Sequence, residues 1–199
     1  MTIDDAETGS PIDAEAQRLA EAGDLAGAAT LLIQTYGPGV IGWLKALTGT
    51  PEEADEVFAV VCERLWKALP NFTWPGKPRT WFYVVGRNAL IDRRRKPGRE
   101  VPLSASPPIA AAVRSTTAAY RKTDSKNRLA ELRAALDPED RNLLILRIDR
   151  GMSWKEIAEV LAGGPTSDDE TRRTSARVRK QFERIKTRLR AQWDVSGDG

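Results

Sequence analysis

Two stretches concentrate the groups that could do chemistry. Residues 81–96 read WFYVVGRNALIDRRRK, with three aromatics at one end and five bases, four of them in the last four positions. On a helix at about 100° per residue, Phe82, Val85 and Ala89 fall on one side and Tyr83, Arg87 and Arg94 opposite, so the spacing predicts one packing face and one face presenting a ring and two guanidiniums. Guanidinium forks match phosphates and base edges, and aromatic faces stack on unpaired bases at roughly 1–3 kcal/mol each. The preceding loop, PNFTWPGKP, and the residue that follows its end add Phe72, Trp74, Lys77 and Arg79. Rings and bases together suit a single strand of nucleic acid better than a duplex groove. Trp81 fits a core position equally well.

The second stretch, residues 171–190, carries nine bases and one acid. Val178, Phe182, Ile185 and Leu189 lie within about 60° of one another on a helical wheel, with Arg177, Lys180, Arg184 and Arg188 on the other side. Upstream, Ser153-Trp154-Lys155-Glu156 is a capping box that opens a short helix with Ile157, Val160 and Leu161 facing inward. A short capped helix before a long basic one has the form of a helix-turn-helix, whose second helix can enter a major groove. A basic amphipathic helix docking on an acidic protein is the alternative.

The elements that must position these groups are helical throughout, with no alternating strand pattern. GDLAGAATLLIQTYGPGVIGWLKALTG reads as two helical segments joined near Gly37-Pro38-Gly39. Thr50-Pro51-Glu52-Glu53 caps the next helix, whose apolar stripe is Ala54, Val57, Phe58, Val61 and Leu65. Residues 97–125 are rich in Pro, Ser and Ala and read as a linker. A helix near 126–136 follows, then one restarting at Asp137-Pro138, then a turn at Arg150-Gly151; the polar AGGPTSDDETRRTS precedes the last helix. The expected fold is all-α: two small helical domains, 24–96 and 126–193, joined by a flexible linker 97–125, with an acidic extension at 1–23 read as a tail and a short tail at 194–199.

Composition narrows the function. The net charge of +3 hides a segregation: residues 1–26 sum to −6, 71–100 to +6 and 171–190 to +8. Two separate basic blocks suggest two contacts on a polyanion. No run of eighteen apolar residues and no export signal is present, so a cytoplasmic location is expected. The single cysteine, Cys62, sits in an apolar pattern and reads as a buried inert thiol, and the absence of histidine removes the commonest zinc and acid-base side chain. No catalytic residue, metal or cofactor is expected.

On these residues the chain resembles sigma-70 family transcription initiation factors of the compact extracytoplasmic function type, over roughly 24–96 and 126–192. ADEVFAVVCERLWKAL is similar to the core-polymerase-binding helix of region two, RTWFYVVGRNALIDRRRK to the helix that opens and reads the minus-ten element, and LRAALDPEDRNLLILRIDRGMSWKEIAEVLA to region four. The resemblance implies that Asp55 and Glu56, with Val57, Phe58 and Val61, contact the polymerase. It implies minus-ten roles for Phe72, Trp74, Lys77, Arg79, Trp81, Tyr83, Arg87, Asn88 and Arg94. It implies minus-thirty-five roles for Arg172, Arg173, Ser175, Arg177, Arg179, Lys180 and Arg184. Core RNA polymerase and promoter DNA are the implied partners, with an anti-sigma factor as a further candidate. The chain departs from the family pattern in two places. Ala59-Val60 stands where the family usually has Gln-Glu, and the turn between Leu161 and Arg177 is about ten residues longer.

A flexible 29-residue linker has a typical end-to-end distance of roughly 30 Å. Promoter elements roughly twenty-five base pairs apart span about 85 Å at about 3.4 Å per pair. Free protein would seldom reach both, so a large rigid partner is expected to hold the domains apart. The alternatives are a helix-turn-helix regulator that is not an initiation factor, a metal-dependent hydrolase using Glu52, Glu53, Asp55 and Glu56, and a helical adaptor.

Overall fold

The computed structural model describes residues 10–74, 77–95, 132–133 and 135–195. The expected linker, both chain ends and most of the helix expected near 126–136 lie outside the described residues. All regular structure among the described residues is helical. They separate into two compact units: the first holds four helices and takes in Glu159–Pro165, and the second holds the remainder of the C-terminal helices.

The first unit begins with α1 (Pro11–Glu21), where the tail was expected. Ser10 caps it by accepting from the Ile12 N–H, and proline at the first position loses no hydrogen bond there. Gly23, at φ 85°, closes it: the Gly23 N–H donates to the Ala20 carbonyl and the Asp24 N–H to the Leu19 carbonyl, satisfying the last carbonyls. Ala16 is fully buried, and the Tyr36 hydroxyl donates to Asp13 at 2.6 Å, so residues 11–21 are part of the packed unit.

α2 (Leu25–Leu47) is one helix of 23 residues, not two segments joined at Gly37-Pro38-Gly39. An interior proline costs about 3 kcal/mol through a lost hydrogen bond and a ring clash. Burial of Ile33, Val40, Ile41, Trp43 and Leu44 on both sides of Pro38, at roughly 1.5–3 kcal/mol each, exceeds that cost, and the proline itself faces solvent. α3 (Pro51–Ala68) is capped as expected, with the Glu53 N–H donating to Thr50 Oγ1 and the Glu53 carboxylate reaching back to the Gly49 N–H. Its expected stripe, Ala54, Val57, Phe58, Val61 and Leu65, is buried, as is Cys62.

After a 3-10 turn (Leu69–Asn71), α4 (Pro78–Arg95) returns across α2 and α3. It buries Phe82, Tyr83, Gly86, Ala89 and Leu90, while Val85, expected in the core, is half-buried. Trp43 sets this rotation. Tyr83 packs edge-on against its ring at 5.2 Å, and a Cβ at Gly86 would stand 3.0 Å from it, so the close approach of α4 needs glycine there.

The second unit contains α5 (Pro138–Leu144), which runs into a π-helical turn (Ile145–Asp149). Asp137 caps α5 by accepting from the Asp140 N–H at 2.9 Å. α6 (Trp154–Ala162) opens on the expected capping box: the Glu156 N–H donates to Ser153 Oγ and the Ser153 N–H to Glu156 Oε2. It ends at Gly163, φ 83°, whose N–H donates to the Val160 carbonyl while the Gly164 N–H donates to that of Glu159. The last helix, α7, spans Asp168–Val195. It starts about nine residues earlier than the sequence suggested. Ser167 Oγ accepts from the Glu170 N–H, and Asp168, Asp169 and Glu170 favour a helix N-terminus, so the polar SDDETRRTS stretch is helix rather than a lengthened turn.

Candidate nucleic-acid interface

In the first unit the rings form a ladder. Phe72 meets Trp74 edge-on at 5.1 Å and Trp81 at 5.9 Å, and Trp81 meets the buried Phe82 at 5.6 Å. Phe72, Trp74 and Trp81 are each half-buried, so every ring is braced on one side and open on another. Such edge-to-face pairs are worth about 0.5–1.5 kcal/mol beyond burial. The result is a pre-formed aromatic surface rather than three mobile side chains. Lys77, Arg79, Arg87 and Asn88 are half-buried on the start and middle of α4. Tyr36 lies behind the ladder, 6.0 Å from Phe82. Burial, then its bond to Asp13, pushes its phenol well above the ordinary tyrosine range, while Arg79 nearby pulls the other way.

Three of the expected minus-ten residues are placed differently, among them Asn88, whose Nδ2 donates to the Gly163 carbonyl at 2.8 Å. Tyr83 is 2 % exposed and seals the core against Trp43, so it offers no face for stacking. The helical wheel missed this because α4 packs on two helices, which widens its buried arc past the side that Phe82 marks. Arg94 is exposed, but its guanidinium donates to the Leu47 carbonyl at 2.8 Å and caps the end of α2.

Among the residues expected to meet the polymerase, Val57, Phe58 and Val61 are buried at 0–1 % exposure. They hold α3 in the bundle and offer no contact surface in this conformation. Asp55 and Glu56 are half-buried and bind their neighbours. Lys45 Nζ of α2 is 3.8 Å from Asp55 Oδ1, and Arg93 of α4 pairs with Glu56 Oε2. Arg64 and Asp92 pair at 3.1 Å beside them. Trp66, half-exposed on the same helix, was not singled out from the sequence, although its place about 100° from Leu65, off the apolar stripe, was a signal for it.

In the second unit α7 turns Thr171, Val178, Phe182 and Ile185 inward. Arg172, Arg173, Arg177, Arg179, Lys180 and Arg184 are all exposed, so these six form one basic outer face. Ser175 is half-buried and donates to the Trp154 carbonyl at 3.2 Å, which makes it a tie between α7 and the start of α6 rather than a surface group. Trp154 also stacks under Arg147 at 4.4 Å, lies 5.8 Å from Arg179 and meets Phe182 edge-on at 5.4 Å. Asp140, 9 % exposed, accepts from Gln181 at 2.8 Å and Arg188 at 2.6 Å and fastens α5 to α7. Neither Trp154 nor Asp140 carried a signal beyond its helix-cap position. No group of three or more metal-ligating side chains occurs among the described residues. No described helix is long and apolar enough to cross a membrane.

The sequence family described as Sigma-70 region 2 matches residues 32–100. The chain is similar to the ECF RNA polymerase sigma factor SigD of Mycobacterium tuberculosis and of Mycobacterium bovis. Each is 29% identical over 174 residues, covering 84% of this chain and 77% of theirs. It is also similar to an uncharacterized protein of Rhizobium meliloti, 28% identical over 157 residues, covering 74% of this chain and 37% of that protein.

Proposed function

We propose that the chain is a sigma-70 family initiation factor of the extracytoplasmic function type, which binds core RNA polymerase and directs it to promoters, where it recognises two DNA elements and helps open the strands. The region 2 match over residues 32–100 and the 29% identity to ECF sigma factors support this reading. One observation carries this reading: a braced ring ladder with basic neighbours in the first unit and a long helix with a basic outer face in the second occur in one chain. Phe72, Trp74 and Trp81, with Lys77, Arg79 and Arg87, suit capture of unpaired bases in the minus-ten element. Stacking of about 1–3 kcal/mol per base offsets part of the cost of unpairing. Arg172, Arg173, Arg177, Arg179, Lys180 and Arg184 suit the minus-thirty-five duplex, where forks reach guanine edges or phosphates. Of the expected polymerase contacts on α3, Asp55 and Glu56 are the two left to meet polymerase, once freed from Lys45 and Arg93.

The protein supplies no bond-making group in this scheme; nucleotidyl transfer belongs to the polymerase. Its contribution is placement and charge. Run-off transcription with purified core enzyme on a fragment library tests the proposal. Discrete transcripts that require this chain are expected, and core enzyme giving the same transcripts with and without it would refute the proposal.

A further inference from the structure

The outer face of α7 begins with an anion. Asp169 Oδ1 is 2.7 Å from Arg172 Nη2, and Asp169 Oδ2 is 2.6 Å from Arg173 Nη2, so each carboxylate oxygen holds one guanidinium. All three side chains are half-exposed or more, and Asp169 is on the turn anchored by the Ser167 cap and the Thr166–Thr171 hydroxyl contact at 2.8 Å. At about 100° per residue, Asp169 aligns with Arg173, Ala176 and Lys180 on the solvent side, while Asp168 and Glu170 point roughly 100° to either flank.

Resting on the function proposed above, we infer that Asp169 sets the specificity of this helix by discriminating base edges from phosphates. An exposed ion pair adds little stability, so pair strength is not the point. The negative charge of Asp169 remains beside the two guanidiniums whether or not the pairs are closed. A phosphate approaching Arg172 or Arg173 brings its own charge against that carboxylate. The O6 and N7 edge of a guanine accepts the same fork and brings no net charge. Asp169 therefore weakens sequence-independent binding and spares binding that depends on base edges. It acts through the arginines and is a positioning and specificity residue rather than a primary contact.

Repulsion between two unit charges at about 4 Å in water corresponds to roughly a fivefold change in binding. The test uses the full chain assembled with core polymerase. A duplex enriched from a random pool by the wild-type holoenzyme and a scrambled duplex of the same composition are titrated by competition. Asp169→Asn is expected to bind the scrambled duplex about fivefold tighter, to lower the enriched-to-scrambled ratio about threefold or more, and to steepen the log–log salt slope by about one. Asp168→Asn makes the same change of charge one residue earlier, on the flank, and is expected to leave the ratio within about 1.5-fold of wild type. An unchanged ratio in Asp169→Asn, or an equal fall in Asp168→Asn, overturns the inference alone. If no sequence is enriched by the wild-type holoenzyme, the proposed function falls and the inference with it.

Discussion

Replacing Asp140 with alanine tests how α7 is held. The carboxylate is 12% exposed and fastens α5 to α7 through Gln181 at 2.8 Å and Arg188 at 2.6 Å. A hydrogen bond to a charged group is worth about 1.5–3 kcal/mol, and the Gln181 bond is of this kind. The Arg188 side chain is 48% exposed, so solvent screening leaves at most about 1 kcal/mol for that pair. Asp140→Ala should therefore cost about 2–3 kcal/mol, Asp140→Asn about 1, and Arg188→Ala no more than about 1. Hydrogen exchange of the full chain, followed by mass spectrometry, reads this locally. Amides of α7 that exchange by opening of the second unit should exchange about 30- to 150-fold faster in Asp140→Ala, with those of α2 and α3 unchanged. Combining Asp140→Ala with Arg188→Ala should add almost nothing to Asp140→Ala alone, because the two share one interaction. Protection of α7 within threefold of wild type would show that the tie does not hold the helix.

Tyr83→Ala removes a buried ring and should destabilise the first unit by about 3–5 kcal/mol, seen as early unfolding of α2 to α4 in a urea titration; a folded variant defective only in DNA binding would restore Tyr83 to the surface. Trp74→Ala should weaken holoenzyme binding to a single-stranded promoter fragment by about fivefold or more, while shifting the unfolding midpoint little; binding unchanged in a fluorescence titration would remove Trp74 from the site. Asp137 has its carboxyl held below the usual range, first by the Asp140 N–H, so its stabilising effect is present above about pH 4 and lost as pH falls through the depressed value. The stability difference between wild type and Asp137→Asn, measured in urea from pH 6 to 2, should accordingly shrink toward acid, and a difference independent of pH would contradict this.

Helix existence was legible at three caps that precede an apolar period, and not at Ser10, where residues 11–21 read as an acidic tail. Thr50, Asp137 and Ser153 each accept from the expected backbone amide, because cap chemistry is local. Continuity was not legible. Pro38 signals a break, and only the burial of Trp43, Leu44 and Ile33 around it keeps α2 whole. The start of α7 was missed because Ser167-Asp168-Asp169 reads equally as a polar turn and as a capped acidic first turn. At the site, the six outer bases of α7 and the Phe72–Trp74–Trp81 group were visible as types and spacing. The burial of Tyr83 depends on Trp43, forty residues away, and on the absent side chain of Gly86, which no periodicity in α4 contains. The partners of Asp55, Glu56 and Arg94 are likewise set by tertiary packing.

The central claim is that these two modules grip promoter DNA together only when core polymerase spaces them. Fluorescence anisotropy of the full chain on a labelled promoter duplex, with and without saturating core enzyme at fixed salt, addresses it directly. Specific binding should be weak alone and tighten at least a hundredfold with core enzyme, the lower range of gain from linking two sites. Equal, sequence-specific affinity in the absence of core enzyme would contradict it.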